Sequence, residues 1–407
     1  MFLICKYWFD SYKALDSLGQ NYIAIIESCD VHNVHPSHET TGCMKGKFVI
    51  PTIDSIESLT SIVNTIKLSG LNIDRVISIG ELSQYGAGFL TDQLKCKGLS
   101  FDAINLTRDK RLMKTKFKEL GVPCANFYSY QDNVNFDMLS YPLVAKPACG
   151  FGSFNTKLMH NSNQLHDYAN NFKDFKDHHL ISNAIIIEDF IDGDEYVADC
   201  FISSNKVVFL SISKDNLPRM QVTNEPGRFD SAEHLNIKLN HDLYKCIHYY
   251  YSKIVDGFNI NECVCHMEFF INKSGEIIVS EVATRPGGSY FNHMAKHVYG
   301  KTLYEIWFEG VLSPNEEILH ELEPDDFFTI VNMIPQKNGG LACLPTLNSL
   351  SDYRTLIDII PRKKCGDAMH TGVALDYTCF FVFRSKDKAM LDGDVNKFVV
   401  NFDFIIF

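Results

Sequence analysis

The chain lacks most of the short motifs that announce a chemistry. No Gly-x-Gly-x-x-Gly follows its first apolar run, FLIC, so a dinucleotide fingerprint is not supported. No Ser–His–Asp or Cys–His constellation stands out. The thirteen cysteines contain no Cys-x-x-Cys. The closest pair, Cys263 and Cys265, point the same way on an expected strand, but no second pair completes a metal cage. Internal repeats and low-complexity tracts are missing as well. No stretch approaches 18 uninterrupted apolar residues, which argues against a membrane span. The first residues, MFLICKYWFD, hold too short an apolar run for a signal peptide. Positive charge is in deficit: the net charge of −12 argues against a nucleic-acid surface, because a polyanion needs a basic face. These absences leave the expectation of a cytoplasmic protein with reduced thiols.

What is present reads as a multidomain α/β protein. At 407 residues, with 45% hydrophobic and 22% charged, the chain has ample core for two or three domains. Residues 1 to about 104 alternate short apolar runs with helical patterns. FLIC, a helix near Phe9–Leu18, NYIAIIES, a polar loop from Cys29 to Lys45, KFVIP, a helix near Ile56–Leu68, RVISIG and a helix near Gly88–Lys97 follow in order. That rhythm predicts a parallel sheet. A helix is expected from Thr107 as N-cap to Gly121 as stop. YPLVAK reads as a strand, and a polar helix is expected near Ser162–Asn170. AIIIEDFIDGDEYVADCFI reads as strand, turn at Asp192–Gly193, and strand, continued by KVVFLSISK. Asp215–Asn236 reads as a loop, and His241–Phe258 as a helix.

Two stretches carry candidate chemistry. In YPLVAKPACGFGSFNT, Lys146 ends an apolar run and a glycine-bearing loop follows at once. A P-loop has the opposite order. In ECVCHMEFFINKSGEIIVSEVA, a four-residue turn at Asn272–Gly275 puts Glu268 opposite Val279 and His266 opposite Glu281. His266, Glu268, Val279 and Glu281 then share one face. The carboxylates become diagonal neighbours, roughly 7–8 Å apart along the backbone, within reach of one ion. An odd-length turn would separate their faces. Unpaired carboxylates among Met267, Phe269, Phe270, Ile277 and Ile278 are costly, and a hard cation such as Mg²⁺ relieves that cost. The alternative is a solvated face with ordinary surface glutamates. After Glu281 comes Ala-Thr-Arg-Pro-Gly-Gly. Arg285 offers a planar fork for phosphate or carboxylate, and Gly287 and Gly288 let backbone N–H groups approach an anion.

Together these stretches resemble the ATP-grasp superfamily, specifically its carboxylate–amine ligases, over roughly Asn105 to Gly300. The resemblance implies an α/β fold: an α+β ATP-grasp core behind an N-terminal parallel α/β domain. The implied divisions are 1–104; 105–322, including a lid about 115–187; and a C-terminal α/β piece, 323–407. ATP and Mg²⁺ (or Mn²⁺) are the implied cofactors. Lys110 and Lys146 would contact phosphate. The loop Ala148–Asn155, with Gly150, Gly152 and Ser153, would be the flap. Glu188, Asp189, Phe190 and Ile191 would hold adenine, Glu195 the ribose, and Glu268 and Glu281 the metal. Arg285, Lys146 and Gly288 would act on the reacting groups. The family often has an asparagine two positions after the second metal ligand; here it is Ala283, which leaves two carboxylates for the ion.

The implied reaction turns a carboxylate into an acylphosphate, which an amine then attacks. The substrates would be small-molecule carboxylates and amines, with a free amino acid or short peptide leading. Other readings are a carboxylation, a phosphotransfer, or a nucleotide-binding module without turnover. Arg219, Arg228, Gly287, Tyr290, Asn292 and His293 are candidates for the acceptor pocket. Arg219 and Arg228 read equally as solvated loop charges. His266 either touches phosphate or substrate, or is structural. Family analogy implies a homodimer through the N-terminal domain.

Overall fold

The computed structural model describes residues 1–130, 134–172, 184–224, 227–313, 325–371 and 376–407. Parts of the expected lid and the expected division at 322/323 lie outside these residues.

The N-terminal sheet is parallel. It is built from β1 (Phe2–Cys5), β2 (Tyr22–Glu27), β3 (Met44–Ile50) and β4 (Arg75–Ser78), in the order β3-β2-β1-β4. The two inner strands are near-continuous apolar runs, as burial on both faces demands. Helices α1 (Phe9–Ser17), α3 (Ile56–Ser69) and α4 (Gln84–Leu94) accompany it, and the expected polar loop contains a 3₁₀ helix (Ser28–Asn33) and one turn of α-helix, α2 (Ser37–Thr40). The loop also ends early, because β3 starts at Met44.

Two helices follow where one was expected. Helix α5 (Phe101–Arg108) begins under a Ser100 cap, and α6 (Lys110–Leu120) under an Asp109 cap. Thr107 is therefore not an N-cap: it sits in the last turn of α5 and its Oγ1 donates to the Ile104 carbonyl at 3.1 Å. Gly121 does stop α6, in the left-handed conformation its missing Cβ permits.

A small antiparallel sheet, β5-β8-β6-β7, contains β5 (Phe127–Ser129), β6 (Leu143–Pro147), β7 (Lys157–Met159) and β8 (Ile185–Asp189). Helix α7 (Ser162–Phe172) packs on it. The main sheet has eight strands in the order β13-β12-β9-β10-β11-β14-β18-β16. Its members are β9 (Gly193–Ser203), β10 (Lys206–Asp215), β11 (Phe229–His234), β12 (Cys263–Asn272), β13 (Ile277–Ala283), β14 (Phe327–Met333), β16 (Leu356–Pro361) and β18 (Cys379–Ser385). Strands β8 and β9 flank the expected turn but lie in different sheets, so residues 190–192 cross between them.

The expected loop Asp215–Asn236 is largely ordered into a short helix, α8 (Arg219–Asn224), and β11. FDSAEH has no β-branched residue. Its pairing with β10 and β14 imposes the strand, a tertiary override of propensity. Helices α9 (His241–Phe258), α10 (Phe291–Tyr299) and α11 (Leu303–Leu312) pack against the main sheet and share its largest apolar core. At the C-terminal end, a two-strand pair, β15 (Gly339–Gly340) with β17 (Ala368–Met369), and helix α12 (Lys388–Asn401) complete the fold. All thirteen cysteines carry free thiols. No described helix is long and apolar enough to cross a membrane.

Candidate functional site

The two sheets face each other across a cavity of about 260 Å³. From the small sheet, β6 contributes Lys146 and β8 contributes Glu188. From the main sheet come Glu195 on β9, Glu268 on β12 and Glu281 on β13. The first turn of α6 adds Lys110 and, one turn on, Lys114. Gly150 and Ser153 close one side and Asp189, Phe190 and Ile191 another.

The hairpin differs from its sequence reading in an instructive way. Ile271 pairs with Ile277, so the loop between them has five residues, an odd count that alone would separate the two glutamates. A one-residue bulge at Ser280 cancels the shift, since Phe269 pairs with Val279 but Glu268 pairs with Glu281. The carboxylates are thus directly opposite rather than diagonal. His266 faces Ala283, not Glu281. The bulged residue's carbonyl accepts a hydrogen bond from Lys114 Nζ at 2.9 Å.

The charges interlock. Lys110 Nζ lies 3.0 Å from Glu281 Oε2. Lys146 Nζ is 3.1 Å from Glu188 Oε2, and Lys114 Nζ is 3.4 Å from Glu188 Oε1. Burial opposes ionisation of Glu281, yet Lys110 and Lys146 outweigh it and hold the carboxyl below its usual range. Glu268 goes the other way, raised by burial and by the facing Glu281. Burial alone would lower Lys146, but Glu188 and Glu281 raise it, so it stays a cation. Lys114 is lowered, chiefly by burial. Two facing carboxylates that repel each other at the edge of a cavity fit a hard divalent ion, which prefers oxygen ligands.

Glu195 is buried and raised by burial, Glu268 and Asp215; its Oε2 accepts the Arg219 backbone N–H at 2.6 Å. Beside this cavity, a smaller one is lined by Glu81, Lys110, His266, Glu268, Glu281 and Arg285, among others. His266 Nδ1 lies 3.0 Å from Asp199 Oδ1. The same oxygen accepts the Gly287 N–H at 2.9 Å, so that amide is committed to the protein rather than to an incoming anion. Gly288 is exposed, with nothing within 4 Å of a would-be Cβ.

A Cβ on Gly287 would stand 2.7 Å from His266 Nδ1 and 3.0 Å from Asp199 Oδ1. Gly287→Ala is therefore expected to separate this pair and destabilise the fold by about 1–3 kcal/mol, read as a lower urea midpoint. An unchanged midpoint would contradict the packing described.

The remaining acceptor-pocket candidates do not line the cavity. Arg219 spends its guanidinium on buried Asp230, at 2.7 Å, and on the Tyr290 hydroxyl at 3.4 Å. Arg228 donates to the Phe402 carbonyl at 2.8 Å, in the C-terminal segment. Asn292 Oδ1 accepts the Leu303 N–H, tying α10 to α11. The His293 ring lies 5.7 Å from the Phe380 ring, tilted by 51°, and burial brings its imidazole down to about 4. Gly152 belongs to the loop but is not part of the cavity wall.

The sequence reading missed Lys114, Asp199 and Glu81. Lys114 was within reach, because i and i+4 share a helix face with Lys110. Asp199 follows Glu195 and Val197 on one strand face, which alternation also predicts. Glu81 has no local signal.

Comparison with known proteins adds the following. Residues 139–292 match the model of the ATP-grasp domain. The L-arginine-specific L-amino acid ligase of Bacillus subtilis is 26% identical over 261 residues, 62% of this chain and 62% of that protein. The aligned part thus spans about 62% of the curated relative's length. The crystal structure of L-amino acid ligase from Bacillus licheniformis superposes with a TM-score of 0.78 at 18% identity, covering 100% of this chain and 98% of that one. The biotin carboxylase domain of Hydrogenobacter thermophilus 2-oxoglutarate carboxylase, solved with MgADP, ADP and bicarbonate, gives a TM-score of 0.70 at 12% identity, covering 100% and 90%. At such identities these structural likenesses speak for the fold.

Proposed function

We propose, on the premise that residues 139–292 match the ATP-grasp domain, that the chain is an ATP-dependent carboxylate–amine ligase acting on amino acids or short peptides in the cytoplasm. The observation that carries this reading is the pairing of Glu268 directly with Glu281, beside Lys110 and Lys146, at the edge of the cavity between the two sheets. The amino-acid substrate class follows the name of the Bacillus subtilis relative.

Asp189, Phe190 and Ile191 would seat the base and Glu195 the ribose hydroxyls. Lys110 and Lys146 would hold the phosphates, and Glu268 with Glu281 would hold Mg²⁺. A bound Mg²⁺ supplies positive charge to the transferring phosphoryl group. The protein's part is position and electrostatics. Arg285 neutralises charge building between the donor carboxylate and the γ-phosphate. The loop around Gly150 and Gly152 keeps water from the acylphosphate, which would otherwise hydrolyse before the amine attacks.

The test is phosphate release from Mg-ATP with amino acids added singly and in pairs, followed by mass spectrometry of the products. Amino-acid-dependent phosphate together with an amide mass is expected. Phosphate release that depends on bicarbonate, with no amide product, would replace this reading with a carboxylation.

A further inference from the structure

The N-terminal sheet has a topological switch point. From β1 the chain steps to β2 and β3 on one side, then crosses to β4 on the other. In such sheets the functional crevice lies beyond the carboxyl ends of the strands at that point. Glu81 sits there, just after β4, at the start of a 3₁₀ turn (Glu81–Ser83).

Its two carboxylate oxygens are divided between two arginines from separate parts of the chain. Oε1 accepts from Arg108, at the end of α5, and Oε2 from Arg285, just beyond β13. Burial alone would raise the Glu81 carboxyl, but Arg285 and Arg108 bring it down to about 2. Arg285 also donates to the Pro286 carbonyl at 2.8 Å, so its guanidinium is fixed at two points. Both Arg285 and Glu81 line the small cavity beside the paired glutamates.

Arg108 leads elsewhere. Its Nη2 donates to the Cys149 carbonyl at 3.2 Å. The flanking carbonyls are held from the same helix junction: Ala148 accepts the Lys110 backbone N–H, and Gly150 accepts Lys110 Nζ, each at 3.0 Å. Three consecutive carbonyls at the root of the glycine loop are thus gripped by Arg108 and Lys110. Tyr85 from α4 adds a contact, its hydroxyl 3.7 Å from Cys149 Sγ.

We propose that Glu81 is a positioning residue: through its bonds to Arg285 and Arg108 it sets Arg285, beside the paired glutamates, and the root of the glycine loop as one unit. Glu81 does not line the larger cavity, and it acts through the two arginines. A shared carboxylate suits this role, because each guanidinium presents a rigid planar fork whose orientation follows its partner. In its kinetic consequence the proposal rests on the ligase reading.

The experiment compares wild type with Glu81→Gln and Glu81→Asp, in two ways. The first is turnover of Mg-ATP with amino acids. Glu81→Gln is expected to lower kcat at least about tenfold with the ATP KM within about twofold, and to form less amide per phosphate released. Glu81→Asp should recover part of the loss. The second needs no turnover: iodoacetamide labelling of Cys149, located by peptide mass spectrometry. Labelling should be several-fold faster in Glu81→Gln than in wild type, because the loop root is released.

Unchanged kcat with unchanged Cys149 labelling would overturn the proposal. So would a raised ATP KM with kcat preserved. If Glu81→Gln does not fold, Glu81→Asp carries the test, and failure of both to fold would make Glu81 a structural residue only. If wild type forms no amide under any pairing, the ligase reading fails, while the labelling comparison still decides the role of Glu81.

Discussion

Glu281→Gln is expected to reduce nucleotide turnover by at least about 10²–10³-fold while the chain still folds. The substitution keeps the side chain's volume and the β12–β13 pairing, but it removes one of two carboxylates that face each other. Directly opposite residues on antiparallel strands have Cβ atoms about 4.5–5.5 Å apart, close enough for both carboxylates to serve one ion. Lys110 and Lys146 hold the Glu281 carboxyl below its usual range against the effect of burial. Glu268 is moved the other way, raised by burial and by the facing Glu281. The fold should survive, because Lys110 Nζ keeps its bond to the Gly150 carbonyl and Glu268 is relieved of a like charge. Urea denaturation beside a phosphate-release assay checks both halves. Turnover within about threefold of wild type would remove Glu281 from the metal site.

The second large effect is expected at Lys146. It is the penultimate residue of β6, stays a cation in a buried setting, and points its ammonium at Glu188 on the neighbouring strand β8. Lys146→Ala leaves Glu188 with Lys114 alone, at 3.4 Å. A cation facing phosphate contributes both to binding and to the transition state, so the ATP KM should rise and kcat should fall. The expected loss in kcat/KM is about 10²-fold or more. An unchanged KM together with an unchanged kcat would take Lys146 out of the phosphate site. Because Lys114 lies on the same helix face as Lys110 and is fully buried, its own removal would confound packing with charge. Lys146 is the cleaner probe.

How far the sequence led is clearest at the hairpin. That Glu268 and Glu281 share a face was legible from alternation, but the route to that result was not. The expected four-residue turn is a five-residue loop, and the bulge at Ser280 restores the parity that the extra residue breaks. No local signal marks such a bulge; it becomes visible only through the ladder and the Lys114 bond to its carbonyl. The start of α6 shows another limit. Thr107 and Asp109 are both good caps by type, and the choice fell to Asp109 because α5, already capped by Ser100, runs through Thr107.

The family resemblance singled out Lys110, Lys146, Glu188, Glu195, Glu268 and Glu281, and the structure gathers these six around one cavity. The acceptor side was less legible. Arg219 and Arg228 look available in the sequence, yet tertiary partners far along the chain, Asp230 and the Phe402 carbonyl, occupy them. Glu81 was silent for the same reason in reverse. Its meaning lies in two arginines that the fold, not the local sequence, brings to it.

The most direct test of the account supplies a carboxylate donor labelled with ¹⁸O in its carboxyl group, together with Mg-ATP and the amine. If the carboxylate is activated as an acylphosphate, one ¹⁸O atom per amide formed appears in the released phosphate. Amide formation with no label in the phosphate would contradict the mechanism.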